Sequence, residues 1–518
     1  LYANIRNATS SIVLNSSFPV RGLVVALATS AKLMNFELFQ ENVFDGRWIK
    51  GSSSIEIKEP STNKPIVSVG VADASLISRS AQKASMAQKR WAEVNCEDKR
   101  KLFIEAERIL RLYAHEIIDV AMCEIGATRS KAEFEIEFSA DEILEAASYP
   151  TQQVGTLLAD KHGRHSYSKR VPYGVVAALT PSNVPILLAA RVIAPALAMG
   201  NAVLLKPHPH SILCGGYAFA RIFEEAGFPE GIIQVLPADG VDAQTFETDK
   251  NISMVHFTGS SATGARIAEL ASKTLKKVSI SGSGKNPFIV LDDVPDLDAV
   301  VSNAIFATFY FGGQSCMTAG RHLVQQSVYE DYVSKLVDAS KQLQVGNPVE
   351  NENVFYGPMI DPKSINRLSE IVEDAVKKGA ELVLGGSSKG AFFEPTVLKN
   401  VTSEMRAWQE EMFGPIAAVT SFTSDEDAIE MANDTEYGLS GAVFGSLGRA
   451  RNIANRMNTG MVHINDKSTD DSAYVPFGGT KQSGNGGRYG SYVNWDEYTQ
   501  LRWFTESVTA PPLHSFKK

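Results

Sequence analysis

The sequence predicts an α/β protein of two or more domains, and three observations carry this. The chain has 518 residues, more than one ordinary core fills. Between residues 175 and 236, short apolar runs alternate with amphipathic stretches at the spacing of parallel crossover units. Residues 253–257 (SMVHF) read as a strand that passes through a turn, TGSSATG (258–264), into a helix through Arg266, Ile267 and Leu270. Strand, glycine-containing turn and helix are the arrangement that cradles phosphates at a helix N-terminus.

Each element follows from its pattern. Residues 72–92 form a helix of small residues anchored by Trp91, and 99–118 a second with Leu102, Ile109 and Leu110 at helical spacing. Residues 175–180 (VVAALT) are a buried strand, and 185–198 a helix stopped by Met199, Gly200 and Asn201. Residues 202–206 (AVLLK) are a strand ended by Pro207 and Pro209. A helix over 217–226, a turn over 227–231 and a strand over 232–236 complete the series. No internal repeat stands out.

Composition narrows the function. Hydrophobic content of 44%, charged content of 21% and a net charge of −9 describe an ordinary globular chain without a basic field, which argues against nucleic-acid binding. The four cysteines (Cys96, Cys123, Cys214, Cys316) form no C-x-x-C pair, so neither a zinc site nor a dithiol motif is expected. A reducing, cytoplasmic compartment fits this usage. Residues 1–35 contain no Asp or Glu and hold Arg6, Arg21 and Lys32 among many serines. They read as a transit peptide, as a secretory signal around 22–28, or as sequence upstream of a true start at Met34, the reading we favour. The apolar run is too short to span a bilayer.

The segment FGGQSCMTAGR (311–321) sets Cys316 just after a Gly-Gly turn, where backbone and substrate approach closely. A thiol so placed serves as a nucleophile with N–H groups facing the charge that develops, or is simply a buried structural cysteine. Asn183, in TPSNVP (180–185), sits at a strand's carboxyl end, where sites in parallel sheets lie. Its amide either donates to an oxyanion or caps the next helix. Lys206 ends the neighbouring strand and meets a hydroxyl or phosphate, or is a solvated surface lysine. The turn around Gly259, Ser260 and Gly264 cradles phosphate, or is an ordinary connection.

These segments, in this order and spacing, resemble the aldehyde dehydrogenase superfamily. EEMFGP (410–415), NTGMVHIN (458–465) and PFGGTKQSG (476–484) resemble further signatures of it, and the resemblance runs from about Phe36 nearly to the C-terminus. CMTAGRHLV (316–324) and TGMVHIND (459–466) look most like bacterial benzaldehyde and salicylaldehyde dehydrogenases. The resemblance implies a Rossmann-type NAD(P)-binding domain over 36–151 and 173–283 and an α/β catalytic domain over 284–482. It also implies a β oligomerisation arm over 152–172 and 496–508, in a homodimer or homotetramer. It implies that Cys316 is the nucleophile, and that Asn183 and the Cys316 N–H hold the oxyanion. Lys206 would contact the adenosine ribose, Gly259, Ser260 and Gly264 the pyrophosphate, and Glu411 the nicotinamide ribose with Phe413 nearby. Thr180 and Pro181 join the cofactor set; Val184, Arg191, Met317 and Phe477 line the substrate pocket. No metal is implied.

The chain departs from the family at three places. In VSISGSGKNP (278–287), Ser281 stands where the general-base Glu belongs. A hydroxyl orients water but does not activate it as a tuned carboxylate does. Pro209 replaces an acid three residues after Lys206, so NAD is the expected cofactor with NADP as the alternative; His208 and His210 offer a phosphate contact. Ser182 replaces a Trp, which widens the entrance. Arg191, two helical turns beyond Asn183, reads as a channel residue for a phenolate or carboxylate, or as a helix-surface salt bridge. The resulting expectation is oxidation of an aromatic aldehyde to its acid. The alternatives are a coenzyme A-acylating dehydrogenase and a deacylation-impaired or inactive member that binds cofactor without turnover.

Overall fold

The computed structural model describes residues 32–159 and 164–510; the leader expected over 1–35 lies, up to residue 31, outside them. The strand Val175–Leu179 carries no polar side chain and is buried along its whole length. It sits inside a seven-stranded sheet. From one edge the order is Lys277–Ser281, Met254–Thr258, Val175–Leu179, Ala202–Lys206, Ile233–Val235, Asn42–Phe44, Trp48–Lys50. The first five run parallel, and Asn42–Phe44 joins antiparallel. Central parallel strands are covered on both faces, which explains their continuous apolar runs. The helix Pro185–Ala198 is buried at every position. The carboxyl ends of these strands present Thr180, Lys206, Gly259 and Ser281 along one rim.

A second seven-stranded sheet begins just after the first ends. Its order is Glu381–Leu384, Thr396–Lys399, Ile416–Phe422, Ala319–Gln325, Asn286–Val290, Ala442–Phe444, His463–Ile464, and all but the first strand run parallel. A third sheet pairs Thr499–Glu506 with His165–Pro172, and that strand with Gly155–Leu157, all antiparallel.

The helix expected over 99–118 is two helices. Cys96–Leu112 begins earlier because the Asn95 side chain accepts from the Glu97 N–H (2.8 Å). It ends where Tyr113 leaves helical geometry (φ −105°, ψ 14°), and Ala114–Glu124 follows. The helix expected over 217–226 is Ala218–Glu225, entered through a π turn at Leu213–Tyr217. Among the described residues no helix is long and apolar enough to cross a membrane.

Candidate active site

Cys316 follows a tight turn, Tyr310–Gly313, in which Phe311, Gly312 and Gly313 all take positive φ (54°, 64° and 68°). Glycine is required at 313, where a Cβ would meet the Gly414 carbonyl oxygen at 2.3 Å. Asn286 holds the far side, its Nδ2 donating to the carbonyls of Cys316 and Thr318 (2.8 Å each). Cys316 and Met317 pack against Leu439, Phe477 and Tyr489. Burial first, then the Glu411 and Asp471 carboxylates, push the thiol up to about 12.

Asn183 is buried at the mouth of the helix Pro185–Ala198 but does not cap it. Glu135 Oε2 takes that role, accepting from the N–H groups of Ile186 (2.9 Å) and Leu187 (3.2 Å). Lys131 pairs with Glu135 and donates from Nζ to the Asn183 carbonyl (2.7 Å). Its ammonium also lies 4.0 Å from the Phe311 ring centre, which ties Asn183 to the cysteine loop. The Asn183 amide therefore stays available as a donor. The reading of Asn183 as a helix cap is corrected: a buried carboxylate from another helix satisfies those N–H groups instead.

Arg191 is not a surface residue. Its side chain is 1% exposed and bridges Glu142 (2.7 Å) and Asp471 (2.6 Å), with its guanidinium over the rings of Phe138, Phe477 and Tyr489. Burial pushes Glu142 up to about 7 against the pull of Arg191. The helix-surface salt bridge is thus corrected, because the helix has no solvent face. The charge expected to meet a phenolate or carboxylate already has two internal carboxylates. Val184 packs with Phe138, Leu187 and Ala473 on the same side.

Ser281 ends its strand with Oγ buried and, like the Tyr489 hydroxyl and Thr180 Oγ1, without a hydrogen-bond partner among the described residues. The hydroxyls of Ser281 and Thr258 face Tyr489. Glu411 turns toward the cysteine side, its Oε1 accepting from the Gly284 N–H (2.9 Å), and burial raises its carboxyl.

A cleft of about 550 Å³ runs along the strand ends of the first sheet. Thr180, Pro181, Asn183, Lys206, His208, Gly259, Ser260 and Phe413 line it. Lys206 is half-buried in the cleft, and burial lowers its ammonium. Ser260 caps the helix Ser261–Ser272 through the Thr263 N–H (3.3 Å), leaving the first N–H groups of that helix toward the cleft. Gly264 lets the helix press on its strand, since a Cβ there would meet Ile280 at 2.8 Å. Burial pushes His208, which lines the cleft, down to about 3.

Sequence reasoning missed Lys131, Glu135, Phe138, Glu142, Asp471 and Tyr489. The first four share one helix, Arg129–Ser148, at helical spacing. That spacing was a usable signal, but charged residues so arranged ordinarily mark a solvated face.

The aldehyde dehydrogenase family signature matches residues 48–504. The chain belongs to the aldehyde dehydrogenase family. The chain is 38% identical to vanillin dehydrogenase of Amycolatopsis sp. over 472 residues, covering 90% of this chain and 97% of that one. It is 38% identical to the NAD(+) benzaldehyde dehydrogenase of Pseudomonas putida over 477 residues, covering 92% and 97%. A salicylaldehyde dehydrogenase from Pseudomonas putida G7, solved with salicylaldehyde, superposes at a TM-score of 0.88 with 33% identity, covering 92% and 99%. A betaine aldehyde dehydrogenase from Staphylococcus aureus, solved with NAD+, superposes at 0.89 with 28% identity, covering 94% and 99%.

As an aldehyde dehydrogenase the enzyme uses NAD(P), and the cleft fits it. Thr180 Oγ1 and a Glu247 oxygen are buried there without partners, a lysine ammonium lies beside them, and a helix N-terminus faces in.

Proposed function

We propose that this aldehyde dehydrogenase oxidises an aromatic aldehyde of the benzaldehyde type to its carboxylic acid. One observation carries this reading. Cys316 and Met317 pack against the aromatic rings of Phe477 and Tyr489, Arg191 ties those rings to Phe138 and Val184, and Asn183 lines the cofactor cleft. The aromatic side chains suit a planar ring, and the vanillin, benzaldehyde and salicylaldehyde dehydrogenases among the relatives are named for such aldehydes.

The S–H proton of Cys316 passes to solvent water, and the thiolate Sγ attacks the aldehyde carbon, so that a C–S bond forms, the C=O π bond breaks and the carbonyl oxygen becomes an oxyanion. The Asn183 amide and the Cys316 N–H donate to that oxygen, the Lys131 contact keeping Asn183 in place. A bound nicotinamide supplies the acceptor for the hydride that leaves the adduct. Lys206, Ser260 and Glu411 are the residues that would hold NAD(P). Cys316 is left as a thioester. Ser281 and Tyr489 can orient the water that hydrolyses it, but Ser281 takes no proton at neutral pH, so this step is slow. The same missing carboxylate favours a second reading, in which a thiol such as coenzyme A accepts the acyl group.

The assembly is a homodimer or homotetramer built through the three-stranded sheet, whose strand Thr499–Glu506 exposes Leu501 and Trp503. It works in the cytoplasm, in keeping with four free cysteines.

Comparing benzaldehyde with a short aliphatic aldehyde in a single turnover, with acid product identified by mass, tests the proposal. Faster acylation by benzaldehyde and release of benzoate are expected. Equal rates would remove the aromatic assignment, and acceleration of turnover by coenzyme A would establish the second reading.

A further inference from the structure

Glu247, on the short helix Thr245–Thr248, is 4% exposed and lines the cofactor cleft with Lys206, Gln244, Ser260 and Arg266. Its Oε2 is buried and has no hydrogen-bond partner among the described residues. Lys206 and Arg266 both pull Glu247 toward its charged form, and Glu247 does the same to Lys206, yet neither cation closes an ion pair with it. A buried carboxylate oxygen without a donor is a costly arrangement unless a ligand brings the donor. The loop after Lys206 carries no acid of its own, since His208, Pro209 and His210 follow. Asp239 also lines the cleft but is exposed, and its Oδ1 already accepts from Gly240 (2.7 Å).

We propose that Glu247 accepts hydrogen bonds from the adenosine ribose hydroxyls of NAD and, through its charge, excludes the 2′-phosphate of NADP. Ribose hydroxyls supply the donors that the orphaned oxygen lacks. A phosphate dianion set against a carboxylate is repelled. Lys206 lines the same cleft and makes no ion pair that would cancel the acid. The inference rests on the reading of this cleft as the NAD(P) site.

The test is a calorimetric titration of the purified protein with NAD+, with NADP+ and with NAD+ lacking the adenosine 2′-hydroxyl. The wild type should bind NAD+ about 10- to 100-fold more tightly than either alternative. Glu247→Leu should erase the difference between NAD+ and the deoxy analogue, and Glu247→Gln should narrow the gap to NADP+. Thermal unfolding checks that both variants fold. If they do not, the wild-type comparison of NAD+ with the deoxy analogue decides: indifference overturns the inference. Folded variants with unchanged ratios also overturn it, as does a selectivity that moves with Asp239→Asn instead. Binding of neither dinucleotide by the wild type would overturn the reading of the cleft itself.

Discussion

Cys316 is held as a thiol at neutral pH, because burial and two carboxylates push its pKa up to about 12. Only the thiolate is nucleophilic, and its fraction rises about tenfold per pH unit below the pKa. The alkylation rate of Cys316 by iodoacetamide should therefore climb steadily from neutral to strongly alkaline pH, with no plateau near pH 8. A plateau there would mean that a neighbouring base or a bound cofactor sets the thiol instead. Asn183 has a separate signature. Asn183→Ala should slow acylation by about 10²–10³-fold, read from the first turnover, with little change in the deacylation rate. The cysteine, the asparagine and the serine at 281 were legible as letters in a pattern. Glu411, which raises the Cys316 thiol, was also legible; Asp471 was not, because it reaches the site only through tertiary packing around Arg191, which it shares with Glu142.

At the scale of elements, the helix Arg129–Ser148 organises the site more than its sequence suggests. Lys131, Glu135, Phe138 and Glu142 recur four, three and four residues apart, on one face directed at the Pro185–Ala198 helix. The parallel strands of the first sheet were readable because apolar runs bounded by Gly and Pro leave few alternatives. The break at Tyr113 was not, since the residues on both sides of it continue a helical pattern and only packing decides where the chain turns. Lys131→Met leaves Glu135 buried without its counter-ion, and should cost about 3–5 kcal/mol in denaturant unfolding. Adding Glu135→Leu should recover part of that stability but not the acylation rate, because the support of Asn183 is gone. Full recovery of both would show that the pair is only structural.

For the whole molecule, two seven-stranded sheets meet at the stretch between Ser281 and Asn286, and a third, small sheet carries an apolar edge. Leu501 and Trp503 on it are 65% and 66% exposed in the single chain, more than an unpartnered surface strand favours. Leu501→Asp with Trp503→Asp should shift sedimentation velocity toward the monomer while the chain stays folded. An unchanged sedimentation coefficient would place the assembly surface elsewhere.

The central claim is that this aldehyde dehydrogenase completes acylation at Cys316 but, with Ser281 in place of a carboxylate, hydrolyses its thioester slowly. Rapid mixing of the enzyme with benzaldehyde and NAD+, followed by NADH absorbance, tests it most directly. A burst of about one NADH per site followed by a slow phase is predicted, with Ser281→Glu accelerating the slow phase by about 10²–10⁴-fold. Linear NADH production without a burst, unchanged by Ser281→Glu, would contradict it.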